Sequence, residues 1–122
     1  MSPLFIVLIG YAIAVPVETL VLWFSLSSEH SLRVKIAAGF WLTACTYPIV
    51  ILVLPALIDP RSSPVLYLAV AETFAPAAES ALFLAAFGQR GARARDVAAI
   101  VLANLTSFAA GEIIRRTGVL ER

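Results

Sequence analysis

Four apolar stretches, each the length of a bilayer, dominate the sequence: Leu4–Leu26, Ile36–Ile58, Val65–Phe87 and Val97–Ile114. A helix that crosses the hydrocarbon core needs about 20 residues, within a range of roughly 17–25. Backbone polar groups inside lipid must bond within their own segment, which leaves helices or closed barrels as the spanning structures. The spans therefore predict an all-α, integral membrane, multi-pass protein. Residues 1–122 read as a single transmembrane domain whose first partner is the lipid bilayer. The polar residues gather between the spans, as in Ser27-Ser28-Glu29-His30-Ser31, Asp59-Pro60-Arg61-Ser62-Ser63-Pro64 and Gly88 to Asp96. Connections this short make neighbouring helices antiparallel, giving an up-down-up-down four-helix bundle.

Composition agrees. The 122 residues are 61% apolar and 14% charged, against about 25% charged in a soluble domain. So short a soluble fold has too little interior to hide that much apolar surface. A net charge of +1 provides no basic face for nucleic acid. The first span carries no Lys or Arg ahead of it and exceeds a signal-peptide core, so it is expected to remain in the mature protein. Pro3 and Pro64 fall in first turns, where proline is tolerated, and Asp96 is placed to cap the fourth helix. Tyr67, near a span end, reads as an interfacial anchor. Basic residues divide five against four: Arg33, Lys35, Arg90, Arg93 and Arg95 on the side of the first and third connections, Arg61, Arg115, Arg116 and Arg122 on the other. That bias slightly favours the former side in the cytoplasm, and its near-balance also suits a dual-topology protein.

Shifted by 61 residues, the chain falls on itself without gaps. Ser2-Pro3 meets Ser63-Pro64, Ala14 meets Ala75, Glu18 meets Glu79, and Ala37-Ala38 meets Ala98-Ala99. Thr43 meets Asn104, Thr46 meets Ser107 and Tyr47 meets Phe108. The register suggests two parallel helical-hairpin repeats related by an axis along the membrane normal, a plan some transporters use.

The chemistry lies inside the spans. Glu18, Thr43 and Thr46 fall at similar depth near the midplane, and Glu79, Asn104 and Ser107 fall at the matching depth of the second half. Glu72 precedes Glu79 by seven residues and shares its face, with Glu112 near the same end on the fourth span. An anion at a helix centre costs about 2.5–3.5 kcal/mol even on lenient scales, so Glu18, Glu72 and Glu79 together would cost roughly 8–10 kcal/mol against lipid. They must face inward, and each must be protonated, paired, or in contact with water or a cation. The spans hold no Lys or Arg to pair with them. Two uses of such carboxyls remain open. A cation or proton site would be built from Glu18, Glu72, Glu79, Thr43, Thr46, Asn104 and Ser107; interhelical hydrogen-bonding glue would need the same residues, at about 0.6–2 kcal/mol per contact.

Small residues recur at fourfold spacing in Ala99, Ala103, Ser107 and Gly111, and again in Ala71/Ala75 and Ala77/Ala81/Ala85, marking faces where helices approach closely. Pro16, Pro48, Pro55 and Pro76 lie within spans and can bend them. Cys45 stands alone and His30 falls in a connection, so thiol clusters, bis-His haem and His-rich metal sites are excluded and no cofactor is expected. No phosphate loop, GxSxG or Ser/His pair is visible, and an enzyme is not expected.

The chain length, the four spans, Glu18 in the first span and Phe87-Gly88-Gln89-Arg90 after the third resemble the small multidrug resistance exporters. The resemblance is one of architecture. That family carries a Gly-rich, aromatic face on its third span, where this chain has Ala71-Glu72-Thr73-Phe74-Ala75-Pro76-Ala77-Ala78-Glu79, and here the first-span glutamate comes later and follows a proline. Two functional classes follow from the whole reading. One is an oligomeric transporter or channel for a cation or proton. The other is a structural or assembly subunit held among other membrane subunits.

Overall fold

The computed structural model describes residues 3–88 and 92–117. It contains four helices, α1 Pro3–Ser25, α2 Leu32–Leu57, α3 Pro64–Phe87 and α4 Arg93–Arg116, with no strand among the described residues. All four are long and apolar enough to cross a membrane. They form an up-down-up-down bundle in which α1 packs closely on α2 and α4, while α3 leans more loosely on the same two helices. Each helix thus has antiparallel neighbours, and α1 stands diagonally across from α3.

Two helices begin four residues ahead of their apolar spans, α2 at Leu32 instead of Ile36 and α4 at Arg93 instead of Val97. Hydropathy marks the part of a helix that suits lipid, whereas the helix itself starts where its first N–H groups find an acceptor. For α2 that acceptor is Ser31, in extended backbone, whose hydroxyl accepts from the Val34 N–H at 3.3 Å. Arg33 and Lys35 are therefore helical although polar. Gln89 and Arg90 of the Phe87–Arg90 stretch lie outside the described residues.

The proline positions behave unequally. Pro16 and Pro76 sit inside continuous α-helices. Following Pro48, however, α2 widens into a π-helical turn over Ile49–Val53 before returning to α geometry at Leu54–Leu57. In that turn the Leu54 N–H reaches back to the Ile49 carbonyl. The next bond in the same register would run from residue 55 to Val50, and Pro55 has no N–H to give. The Tyr67 hydroxyl of α3 supplies the missing donor, bonding the Val50 carbonyl at 2.6 Å. Tyr67, near the start of α3 where an interfacial anchor stands, is half-buried and also ties α3 to α2.

One end of the bundle is packed solid. Leu22, Leu26, Ala38, Leu42, Phe83, Ala99, Ile100 and Ala103 form a single buried cluster towards the connection between α1 and α2. Gly39 makes the α1–α2 approach possible: a Cβ there would lie 1.9 Å from the Thr19 hydroxyl oxygen and 2.9 Å from the Thr19 Cα. The small-residue stripe of α4 divides in function. Ala99 and Ala103 are buried in the cluster, whereas Gly111 faces open space. Ala77, Ala81 and Ala85 point outward from α3.

Candidate functional site

Midway along the bundle the two glutamates Glu18 and Glu79 lie buried at 6% and 2% exposure, each bonded to one of two α2 threonines that stand three residues apart, Thr43 and Thr46. Each is held by one side chain of its own hairpin and one of the other. Glu18 accepts from the Thr43 hydroxyl of α2 and also hydrogen-bonds with Ser107 of α4. Glu79 accepts from the Asn104 amide of α4 and, at 3.3 Å, from the Thr46 hydroxyl of α2. The pairs Thr43/Glu18 and Asn104/Glu79 are both separated by 25 residues. The following residues, Thr19 and Ser80, also match: each has a buried hydroxyl oxygen without a hydrogen-bond partner among the described residues.

Counting donors gives this layer its chemistry. Thr43 lies 2.8 Å from the Gly39 carbonyl as well as beside Glu18, and Thr46 lies 3.1 Å from the Leu42 carbonyl as well as beside Glu79. A hydroxyl has one proton to donate. If both glutamates are anions, each threonine must abandon one of its two acceptors. If a glutamic acid carries the proton, it donates to the threonine oxygen, and the threonine proton goes to its backbone carbonyl. Asn104 escapes the choice, because its amide has two protons, one for Glu79 and one for the Ile100 carbonyl at 2.9 Å. Protonated carboxyls satisfy both threonines and their backbone acceptors, whereas anionic ones do not.

A half-open chamber of about 360 Å³ leads from this layer towards the end of the bundle that carries the connection between α2 and α3. Glu18, Thr43, Thr46, Asn104 and Ser107 form its inner end, Glu72 and Glu112 stand further along its wall, and the rest is apolar or aromatic, with Tyr47, Tyr67 and Phe108. Among the described residues no Lys, Arg or His lines it. Tyr47 occupies its place because Gly10 has no side chain; a Cβ there would lie 1.6 Å from the Tyr47 oxygen. Six of the seven residues expected from sequence to form a site share this wall, and Glu79 alone lies behind it. Glu18 and Glu79, equal in the sequence register, thus differ in access.

The opposite end is closed by a feature the sequence reading missed. Asp96, expected as the cap of α4, lies in the first turn of that helix and turns its carboxylate elsewhere. It is wholly buried, accepts from the Ser27 backbone N–H at 3.0 Å, and meets His30 Nε2 at 2.8 Å. His30 packs edge-on against Phe83, with centroids 5.1 Å apart. Arg95 and Lys35 reinforce the lid by donating to the last carbonyls of α1, those of Ser25 and Trp23, both at 3.2 Å. An aspartate in a first turn reads as a favourable charge at the helix dipole, and nothing local reveals a partner 66 residues away. No protein-family model, curated protein or solved structure matches the chain.

Proposed function

We propose that the chain is a multi-pass membrane protein that moves a proton or cation through the Glu18/Glu79 layer, as a transporter or channel assembled from several copies. One observation carries this reading: two buried carboxyls share a layer with no basic partner among the described residues, and an acid-lined chamber reaches that layer from one end. Glu18 is the exchanging group, since it faces the chamber. Glu79 is the occluded member, coupled to the site through Thr46 and Asn104. Thr43 and Ser107 orient Glu18. The crosswise hydrogen bonds support descent of the two hairpins from one repeat. No covalent chemistry is assigned to the chain.

A second reading has its own support, because the carboxyl hydrogen bonds run between helices of one bundle, as interhelical glue would. In that case the protein is an assembly subunit of a larger membrane complex. Reconstitution in liposomes separates the two. Glutamine keeps the shape and hydrogen-bonding capacity of glutamate but cannot titrate. Proton or cation flux should be abolished in Glu18→Gln and Glu79→Gln while both variants stay folded. Full flux in both variants removes the transport site, and co-purification with other subunits then supports the second reading.

A further inference from the structure

The chamber is larger than a bare ion requires, and its carboxylates are strung along it. A water molecule's share of liquid volume is about 30 Å³, a small fraction of the 360 Å³ present. The volume falls in the range of pockets for organic ligands, roughly 300–1,000 Å³. Glu18 stands at the inner end, in the layer of Glu79. Glu72 precedes Glu79 by seven residues on α3, which at 1.5 Å rise places it about 10 Å further out along the axis. Glu72 and Glu18 line the same chamber. Between them the wall is apolar, with Ala14, Ala71 and Ala75, and the rings of Tyr47 and Tyr67 stand alongside. Faces of aromatic rings attract ammonium groups.

We infer that the chamber takes an elongated organic dication, two ammonium groups joined by a methylene chain, with one end at Glu18 and the other at Glu72. A monovalent metal ion would leave most of the chamber unused and Glu72 unmatched. A single-headed organic cation would leave its apolar tail against the Glu72 carboxylate. A dication places one charge at Glu18, the other at Glu72 and its methylenes against the alanines; Glu112, the third carboxylate on the wall, has Arg116 at 4.0 Å. An extended chain advances about 3.5 Å per three bonds, so the axial offset of about 10 Å between Glu72 and the Glu18/Glu79 layer corresponds to a chain of at least about seven carbons. This assignment rests on the reading of Glu18 as the exchanging group and names what it exchanges.

The test is a titration of the purified full-length protein with α,ω-diammonium alkanes of about four to about ten carbons and with monoammonium alkanes of equal length, followed calorimetrically. Affinity should peak near the middle of the diammonium series, and at that length the dication should bind about tenfold more tightly than its single-headed partner. Glu72→Gln should reduce that ratio to about one, and Glu72→Asp should keep the preference while moving the optimal chain length. Thermal unfolding checks that both variants are folded. The inference is overturned by affinity that only rises with chain length, by equal binding of mono- and dications, by a preference that survives Glu72→Gln, or by no ammonium binding at all. Flux that still depends on Glu18 alongside any of those results would leave the proposed exchange site standing and remove only its ligand.

Discussion

Gly39 and Gly10 both sit where a side chain would collide, yet their replacement should have different consequences. At Gly39 the obstacle includes the Thr19 backbone at 2.9 Å, which no rotamer change removes. Gly39→Ala should force α1 and α2 apart and cost about 1–3 kcal/mol, read as a lowered unfolding temperature. At Gly10 the obstacle is the far end of the Tyr47 side chain, which can swing. Gly10→Ala should leave the bundle folded and move Tyr47 off the chamber wall, detectable as a change in tyrosine fluorescence. Equal destabilisation by the two changes would contradict the distinction. At this scale the sequence was most legible for the midplane residues. Helix rise alone brings Glu18 level with Thr43; the seven-residue spacing puts Glu72 and Glu79 on one face, whereas Glu72 lines the chamber and Glu79 lies behind its wall. It was least legible for Asp96, because its roles as a dipole charge and as a partner of His30 look alike until the connection is folded over it.

Among the elements, the π-helical turn of α2 shows how a backbone defect can join two helices. Tyr67→Phe strands the Val50 carbonyl and should cost about 1–3 kcal/mol. Pro55→Ala restores an N–H to α2, so the same Tyr67→Phe change should cost clearly less in that background. A double-mutant cycle of unfolding free energies measures the coupling, and a coupling of zero would remove Tyr67 from this role. At the closed end, Asp96→Ala leaves both His30 and the Ser27 N–H without their partner and should cost on the order of 3 kcal/mol. A loss below about 0.5 kcal/mol, typical of a surface change, would mean the pair contributes nothing. The four helices were readable from hydropathy because each span has bilayer length. Their starts at Leu32 and Arg93 were not, because caps and first turns are polar and lie outside the apolar pattern. The π turn was not readable either; two prolines predict a bend, and which carbonyl finds a substitute donor depends on the facing helix.

For the whole molecule, equivalence of the two hairpins makes a claim that exchange can test. If Thr43 and Asn104 fill corresponding places, the double exchange Thr43→Asn with Asn104→Thr should retain more flux in liposomes than either single change. Singles that outperform the pair would argue against descent from a repeat. The asymmetry of the bundle, open to the carboxyl layer from one end and packed solid from there to His30 and Asp96, also has an electrical meaning. With the proposed bilayer around the chain, a water-filled chamber shares the potential of the bath outside its mouth. The membrane voltage then falls almost wholly across the layer of Leu22, Phe83 and Ile100. In the proposed transport, a charge reaching Glu18 from the open end crosses little of that field, whereas the onward step bears most of the about 2.3 kcal/mol per 100 mV that a full crossing involves. Occupancy from the mouth should therefore be indifferent to voltage while net current is steeply sensitive to it, so the dry half of the bundle acts as the protein's capacitor.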